Sequence, residues 1–301
     1  MGIKSLENIW NIFWELRELK KHAPEILSVF QYFDQSEDPK KALEKIIGTA
    51  KNNPVLDDLL KITKTYDMTS RAAKRAEKKG WNYAGKEALK EMGVNYEIRG
   101  AENIPANGKA LYISNHPYGL LDGAILLGGL GSLLSKERRR LKIVGMNQLR
   151  LIKGIEEVVY FVHSTVKRIN LGSVRESLRY LDKGGDLAIY PSGGMSKAGL
   201  REYPWKSGLG IFVSHSSYVV PMWFSGPDHS TIYNLLAKTK IKKIEKLRRI
   251  FSLTEAWNKA GQTVVLNIGE AIRSEELKEI GDTKEKVQYL RQKAEGLKVA
   301  V

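Results

Sequence analysis

The sequence predicts an α/β protein: a mixed, mostly parallel central sheet flanked by helices, with a helical N-terminal subdomain. Three observations predict it. Before residue 95, apolar residues recur at helical spacing, as in Leu6, Ile9, Trp10, Phe13, Leu16 and Leu19. After it, short β-branched and aromatic runs alternate with helical stretches. Between them, the strand-like run Ala110–Ser114 ends in Asn115-His116-Pro117-Tyr118-Gly119-Leu120-Leu121-Asp122-Gly123. That is an apolar strand delivering polar residues into a loop bent by proline and glycine. The boundary falls near residue 95, giving 1–95 as the helical subdomain and 96–301 as the α/β domain.

Composition narrows the classes. A chain of 301 residues with 42% apolar and 28% charged residues is globular rather than disordered. It contains no cysteine, which excludes a disulfide framework, a thiolate nucleophile and a cysteine metal site. The five histidines show no metal-ligand spacing, and no metal or cofactor is expected. No signal-peptide pattern opens the chain, and no run approaches the ~18–20 apolar residues that span a bilayer. A formal charge of +15 calls for an anionic partner: a membrane surface, an acidic carrier or a nucleic acid. No homeodomain, zinc-finger or RNA-binding signature is present, so specific nucleic-acid recognition ranks last.

Asp38-Pro39 and Asn53-Pro54 mark helix starts, a capping side chain followed by a proline that needs no partner for its missing N–H. The first helix packs on its own core or, with Trp10 and Trp14, inserts at an interface. Ala72–Lys79 reads as a solvated helix face, and Lys86–Met92 as a helix stopped by Gly93. Strands are predicted at Asn95–Arg99, Ala110–Ser114, Leu141–Val144, Val158–Val162, Leu187–Tyr190, Tyr218–Phe224 and, as the last, Thr263–Ile268. Pro221 assigns its strand to an edge or an irregular end. Ser173-Val174-Arg175-Glu176 reads as a capping box opening a helix that Gly184-Gly185 ends. Trp205–Ser216 suggests another helix, and the stretch after Ser274 contains a charged one.

His116 and Asp122 are the candidate chemistry. A carboxylate can accept from one imidazole nitrogen, fix the tautomer and leave the other nitrogen as a base. The same spacing suits a capping aspartate beside an ordinary loop histidine, so spacing leaves both open. Pro191-Ser192-Gly193-Gly194 forms a tight loop at the carboxyl end of a strand, where ligands of open α/β sheets bind, or a plain turn. Arg168 is an anion-binding candidate or a surface arginine pairing with Glu176 or Asp182. Nothing is assigned to His163 or His215, and Asp228 and His229 are secondary candidates in a loop after a strand.

At the Asn115–Gly123 motif the chain resembles the glycerolipid (lysophospholipid) acyltransferase superfamily. Most of its members place four residues between histidine and aspartate. The five found here, H-x5-D, are similar to the branch of lyso-ornithine-lipid acyltransferases and hemolysin-type proteins, which reads Asn-His-Pro-x-Gly-x-x-Asp-Gly. Arg168, in Val166-Lys167-Arg168-Ile169-Asn170, is similar to the second-motif arginine. Tyr190–Ser196 resembles the third motif and Val219-Val220-Pro221 the fourth. Trp205-Lys206-Ser207-Gly208, Gly261-Gln262-Thr263-Val264 and Ile268-Gly269-Glu270 extend the likeness over about residues 95–272. One departure stands out. The branch's third motif reads Pro-Ala-Gly-Glu, and Pro-Glu-Gly-Thr-Arg elsewhere, whereas Gly194 and Met195 occupy those places here.

The resemblance implies an O-acyltransferase, with acyl-CoA or acyl carrier protein as donor and a lysolipid or glycerol-phosphate-type hydroxyl as acceptor. His116 would be the general base and Asp122 its orienting carboxylate. Asn115, Gly119, Arg168 and the Ser192-Gly193-Gly194 loop would bind substrate. Lys197 and Arg201 are expected to serve if the glycine loop alone does not hold the acceptor's polar group. The alternative is a catalytically inactive lipid- or acyl-carrier-binding protein of the same fold, suggested by the altered third motif. The basic run Lys238–Arg249, with Lys240, Lys242, Lys243, Lys246, Arg248 and Arg249, predicts contact with an anionic membrane, or else a solvated basic helix. A cytoplasmic, peripherally membrane-associated protein follows as the expectation.

Overall fold

The computed structural model describes residues 39–162, 170–238, 251 and 254–300, with Trp14, Arg17, Lys21 and Pro24 besides. The helical pattern Leu6–Leu19, His163, Arg168 and the basic run from Lys240 to Arg249 lie outside the described side chains.

Four helices come first: α1 (Pro39–Asn52), α2 (Pro54–Leu60), α3 (Ile62–Lys79) and α4 (Trp81–Met92). Both prolines open helices as expected, and the Asn53 side chain accepts from the Leu56 amide at 3.1 Å. Helix α4 buries Trp81, Ala84, Gly85, Ala88, Leu89 and Met92, the stripe that 3.6-residue periodicity produces. It starts five residues before its predicted start and ends at Gly93, whose φ of 69° closes the last turn.

One eight-stranded sheet follows, built from β1 (Asn95–Arg99), β2 (Ala110–Ser114), β3 (Leu141–Met146), β4 (Val159–Val162), β5 (Asp186–Ile189), β6 (Tyr218–Ser225), β7 (Thr263–Ile268) and β8 (Ile272–Arg273). The order is β1-β7-β6-β2-β5-β3-β4, with β8 added to β6. Five pairings are parallel, and β6 pairs antiparallel with β7 and β8, so the sheet is mixed and mostly parallel. All five residues of β2 are buried. Tyr112 faces the layer of α3, α4 and α5 (Leu120–Ile125), while Leu111 and Ile113 face α8 (Leu209–Ser214) and α10 (Thr283–Glu295). Helices preceding residue 95 thus share a core with the sheet. A second core joins α1 and α2 to α9 (Thr231–Lys238) through Leu56, Leu60, Ile232 and Tyr233.

Four local expectations are corrected. Pro221 lies in central strand β6, opposite Ile113 of β2. It falls between the residues paired with β8 (Tyr218, Val219) and those paired with β7 (Met222–Ser225), where no ladder donor is required, and its carbonyl accepts from Gly269 at 2.8 Å. Helix α7 (Asn170–Asp182) begins three residues before Ser173, so that residue is inside the helix and caps nothing. The predicted helix Trp205–Ser216 shrinks to α8, because the Lys206 amide turns back to the Pro191 carbonyl at 3.0 Å. The last strand is β8, not β7.

Helix α4 meets the π-helical segment Leu126–Leu130, which joins α5 to α6 (Gly131–Lys136), backbone to backbone. A Cβ on Gly85 would sit 2.7 Å from the Gly128 amide nitrogen, and one on Gly128 would sit 2.7 Å from that of Lys86. Gly128→Leu is therefore expected to destabilise the fold by about 3 kcal/mol in urea unfolding. Gly123→Ala, which meets nothing within 4 Å, should change stability by no more than about 1 kcal/mol.

Candidate active site

Parallel register assembles the site. Strand β2 pairs with β5 through Ile113 and Ile189, so the segments beyond their carboxyl ends emerge side by side. His116 leaves one and Tyr190 the other, and their rings stack with centroids 3.9 Å apart and planes 18° from parallel.

Asn115 fastens the end of β2. It is buried; its Nδ2 donates to the Phe224 carbonyl at 2.9 Å and its Oδ1 accepts from the Phe224 amide at 2.7 Å. The side chain thereby continues the pairing with β6 after the backbone has turned away. Gly119, with φ 63° and ψ −113°, takes a turn that a side chain would strain, and α5 starts at the next residue.

That helix carries Asp122 back under the histidine. His116 Nδ1 lies 2.8 Å from Asp122 Oδ2, which also accepts from the Tyr118 amide at 2.9 Å. Asp122 is fully buried, whereas the His116 side chain keeps 17% of its surface exposed. Burial pushes the Asp122 carboxyl upward, and the His116 ring and Tyr118 amide oppose the rise. Burial likewise holds the Tyr190 phenol neutral, well above its ordinary range.

The third-motif loop turns at Gly193, whose φ is 68°. The Lys206 ammonium lies over Gly193, where a Cβ would collide with it. Ser192 is buried and donates from its hydroxyl to the Gly194 carbonyl at 3.0 Å. Lys197 and Arg201 bracket the next turn and engage local groups. The Lys197 ammonium sits 4.3 Å from the Tyr203 ring centre, and Arg201 Nε donates to the Ala198 carbonyl at 3.3 Å. The cation against the glycine loop is Lys206, whose only signal in the sequence is its place in the Trp205-Lys206-Ser207-Gly208 resemblance.

A carboxylate missing from the third motif reaches the loop from further along the chain. The Lys197 amide donates to the Arg201 carbonyl at 2.7 Å across a tight turn in which Gly199 and Leu200 have positive φ. This returns Glu202 to Ser196. Glu202 Oε2 accepts from the Ser196 hydroxyl at 2.7 Å and from the His116 amide at 3.4 Å, while the Ser196 amide donates to the His116 carbonyl at 2.7 Å. Burial raises the Glu202 carboxyl above its ordinary value, against the Ser192 and Ser196 hydroxyls and the nearby His116. On the other side of the loop, His229 Nε2 lies 2.7 Å from the Pro117 carbonyl. The turn at Gly199 and Leu200 delivers Glu202, and a contact spanning 112 positions delivers His229; neither residue carries a local motif.

A hydrogen-bonded imidazole backed by a buried carboxylate, at the carboxyl edge of a parallel strand, is an arrangement that can accept a proton from an incoming hydroxyl. The chain matches the family described as Acyltransferase over residues 81–301, and it belongs to that family. Two relatives are similar to it. Lyso-glycine lipid O-acyltransferase of Phocaeicola vulgatus is 26% identical over 195 residues, covering 60% of this chain and 65% of the relative. The protein of that name in Bacteroides thetaiotaomicron is 22% identical over 191 residues, covering 60% of this chain and 67% of the relative. A solved structure, the 1-acyl-sn-glycerophosphate (LPA) acyltransferase PlsC of Thermotoga maritima, aligns over 98% of this chain and 96% of its own at 18% identity and a TM-score of 0.48.

Glu202 gives a signed pH test. Its carboxyl binds a proton more tightly in the folded chain than its ordinary value of 4.5 allows in the unfolded one. Stability therefore falls as pH rises from 4.5 through the raised value. Glu202→Gln removes that loss. In thermal unfolding, its Tm relative to wild type should increase between about pH 4 and about pH 8; an equal difference at both ends would contradict the assignment.

Proposed function

We propose that the protein transfers an acyl group from an acyl thioester, acyl-CoA or acyl carrier protein, to the hydroxyl of a lysolipid or glycerol-phosphate-type acceptor. The observation that carries this is the 2.8 Å contact of His116 Nδ1 with the buried Asp122 carboxylate in a chain of the acyltransferase family. The lyso-glycine lipid specificity in the names of the two relatives makes a lyso-glycine lipid the first acceptor to test.

The geometry supports the following chemistry. Nδ1–H donates to Asp122, so Nε2 is the base. The acceptor oxygen attacks the thioester carbonyl as its proton passes to Nε2, and Asp122 stabilises the imidazolium. The tetrahedral oxyanion needs donors. Pro117 has no N–H, the Tyr118 amide serves Asp122 and the Leu121 amide turns to the Tyr118 carbonyl, leaving Gly119 and Leu120 in this loop. Collapse breaks the C–S bond, and Nε2 returns the proton to the thiolate. No covalent acyl-enzyme and no metal enters this scheme. The glycine loop with Lys206 on one side, and Arg168 by its motif, would hold an anionic head group.

The binding-protein alternative drew on the third motif's lack of a carboxylate, and Glu202 supplies one to the same loop. Among the described residues no helix is long and apolar enough to cross a membrane. The +15 charge and the basic run support peripheral docking on an anionic leaflet from the cytoplasmic side.

Two experiments test the proposal. Thiol release from acyl-CoA and acyl carrier protein, across a panel of lysolipids including lyso-glycine lipid, should depend on acceptor. His116→Ala should lower it by roughly 10²–10⁴-fold without a change in folding; release unaffected by His116→Ala would overturn the mechanism. Charge reversal of Lys240, Lys242, Lys243 and Lys246 should weaken co-sedimentation with anionic vesicles by roughly 100-fold or more at low salt. Unchanged binding would remove the membrane role of that run.

A further inference from the structure

The loop carrying His116 is gripped from behind by a second histidine. His229 follows β6, is 5% exposed, and places Nε2 at 2.7 Å from the Pro117 carbonyl. A carbonyl only accepts, so Nε2 carries the hydrogen and the neutral ring's Nδ1 is bare. That Nδ1 is buried and has no hydrogen-bond partner among the described residues.

The Pro117 carbonyl and the Tyr118 N–H belong to one peptide group. This N–H donates at 2.9 Å to Asp122 Oδ2, the oxygen that His116 Nδ1 reaches at 2.8 Å. The chain of contacts therefore runs from His229 Nε2–H to the Pro117 carbonyl, through one conjugated amide to the Tyr118 N–H, and on to the catalytic pair. A donor on an amide carbonyl shifts electron density toward oxygen and makes the N–H a better donor.

The surroundings fix the ring in that role. The Tyr118 ring edge lies 6.1 Å away and the Tyr233 ring 4.3 Å away, centroid to centroid. The charged groups facing it are Asp228 on its own loop, Asp122 across the peptide, and the Glu255–Lys259 pair. That pair is 0% and 2% exposed, and it holds the residues on both sides of His229. Lys259 Nζ donates to the Asp228 carbonyl at 2.7 Å, and Glu255 Oε2 accepts from the Ser230 amide at 3.0 Å.

We propose that His229 is a positioning residue for the His116–Asp122 pair, acting through the Pro117–Tyr118 peptide group. The proposal rests on His116 being the base of acyl transfer. It predicts that what matters at position 229 is a donor at the place of Nε2, not an imidazole.

The test compares His229→Leu, which removes the donor, with His229→Gln, whose side-chain amide restores one, beside wild type and His116→Ala. His229→Met serves where leucine impairs folding. With Tm values matched, His229→Leu should lower kcat roughly tenfold, with acceptor KM unchanged within about twofold. His229→Gln should return kcat to within about threefold of wild type. A wild-type kcat in His229→Leu, or an equal loss in the leucine and glutamine variants, overturns the proposal. Amide exchange of Tyr118 separates this from the functional reading. It should quicken in His229→Leu and recover in His229→Gln whether or not a substrate is known. If the wild type transfers nothing, the base assignment falls, while unchanged Tyr118 exchange in His229→Leu defeats the coupling itself.

Discussion

A carboxylate shut away from water must be held by donors, and Asp122 Oδ2 takes two: the His116 ring and the Tyr118 amide. Both donors come from the segment that the carboxylate itself helps to shape. The loop can close around Asp122 only because Pro117 and Gly119 bend it and α5 starts at Leu120. The apolar side of α5, through Leu121, Ala124 and Ile125, is packed into the main core. The geometry of the His116–Asp122 pair and core packing are thus one constraint. A shift of α5 moves the carboxylate, and loss of the carboxylate leaves a buried histidine contact unmade.

The sheet supplies the second half of the site. Because β5 runs parallel to β2 and in register with it, the Tyr190 ring lands on the His116 ring without any contact between the two motifs in sequence. Beyond Tyr190, the turn at Gly199 and Leu200 brings Glu202 to the His116 amide. His229, whose neighbours Asp228 and Ser230 are held by Lys259 and Glu255, reaches the Pro117 carbonyl.

Much of this was legible in the sequence, for identifiable reasons. Strands Asn95–Arg99, Ala110–Ser114 and Thr263–Ile268 have their predicted bounds because each is a short alternating or apolar run closed by turn residues. The His116–Asp122 pair was legible because both partners sit in one motif. What was not legible depends on contacts distant in sequence. Pro221 signals an edge strand by its chemistry, yet a gap between two antiparallel partners accommodates it in the centre. Glu202 reaches its place through backbone turns at Gly199 and Leu200. His229 lies 112 positions from the carbonyl it holds, and only the parallel alignment of β2 and β6 brings them together. Ser173 carried a capping pattern that the longer helix made irrelevant.

The decisive measurement is ¹⁵N NMR of the His116 ring in the folded protein. The expected tautomer carries its proton on Nδ1, hydrogen-bonded to Asp122, and that Nδ1 proton should lose its hydrogen-bonded shift in Asp122→Ala. A ring carrying its proton on Nε2, or one indifferent to the loss of Asp122, would contradict that pairing.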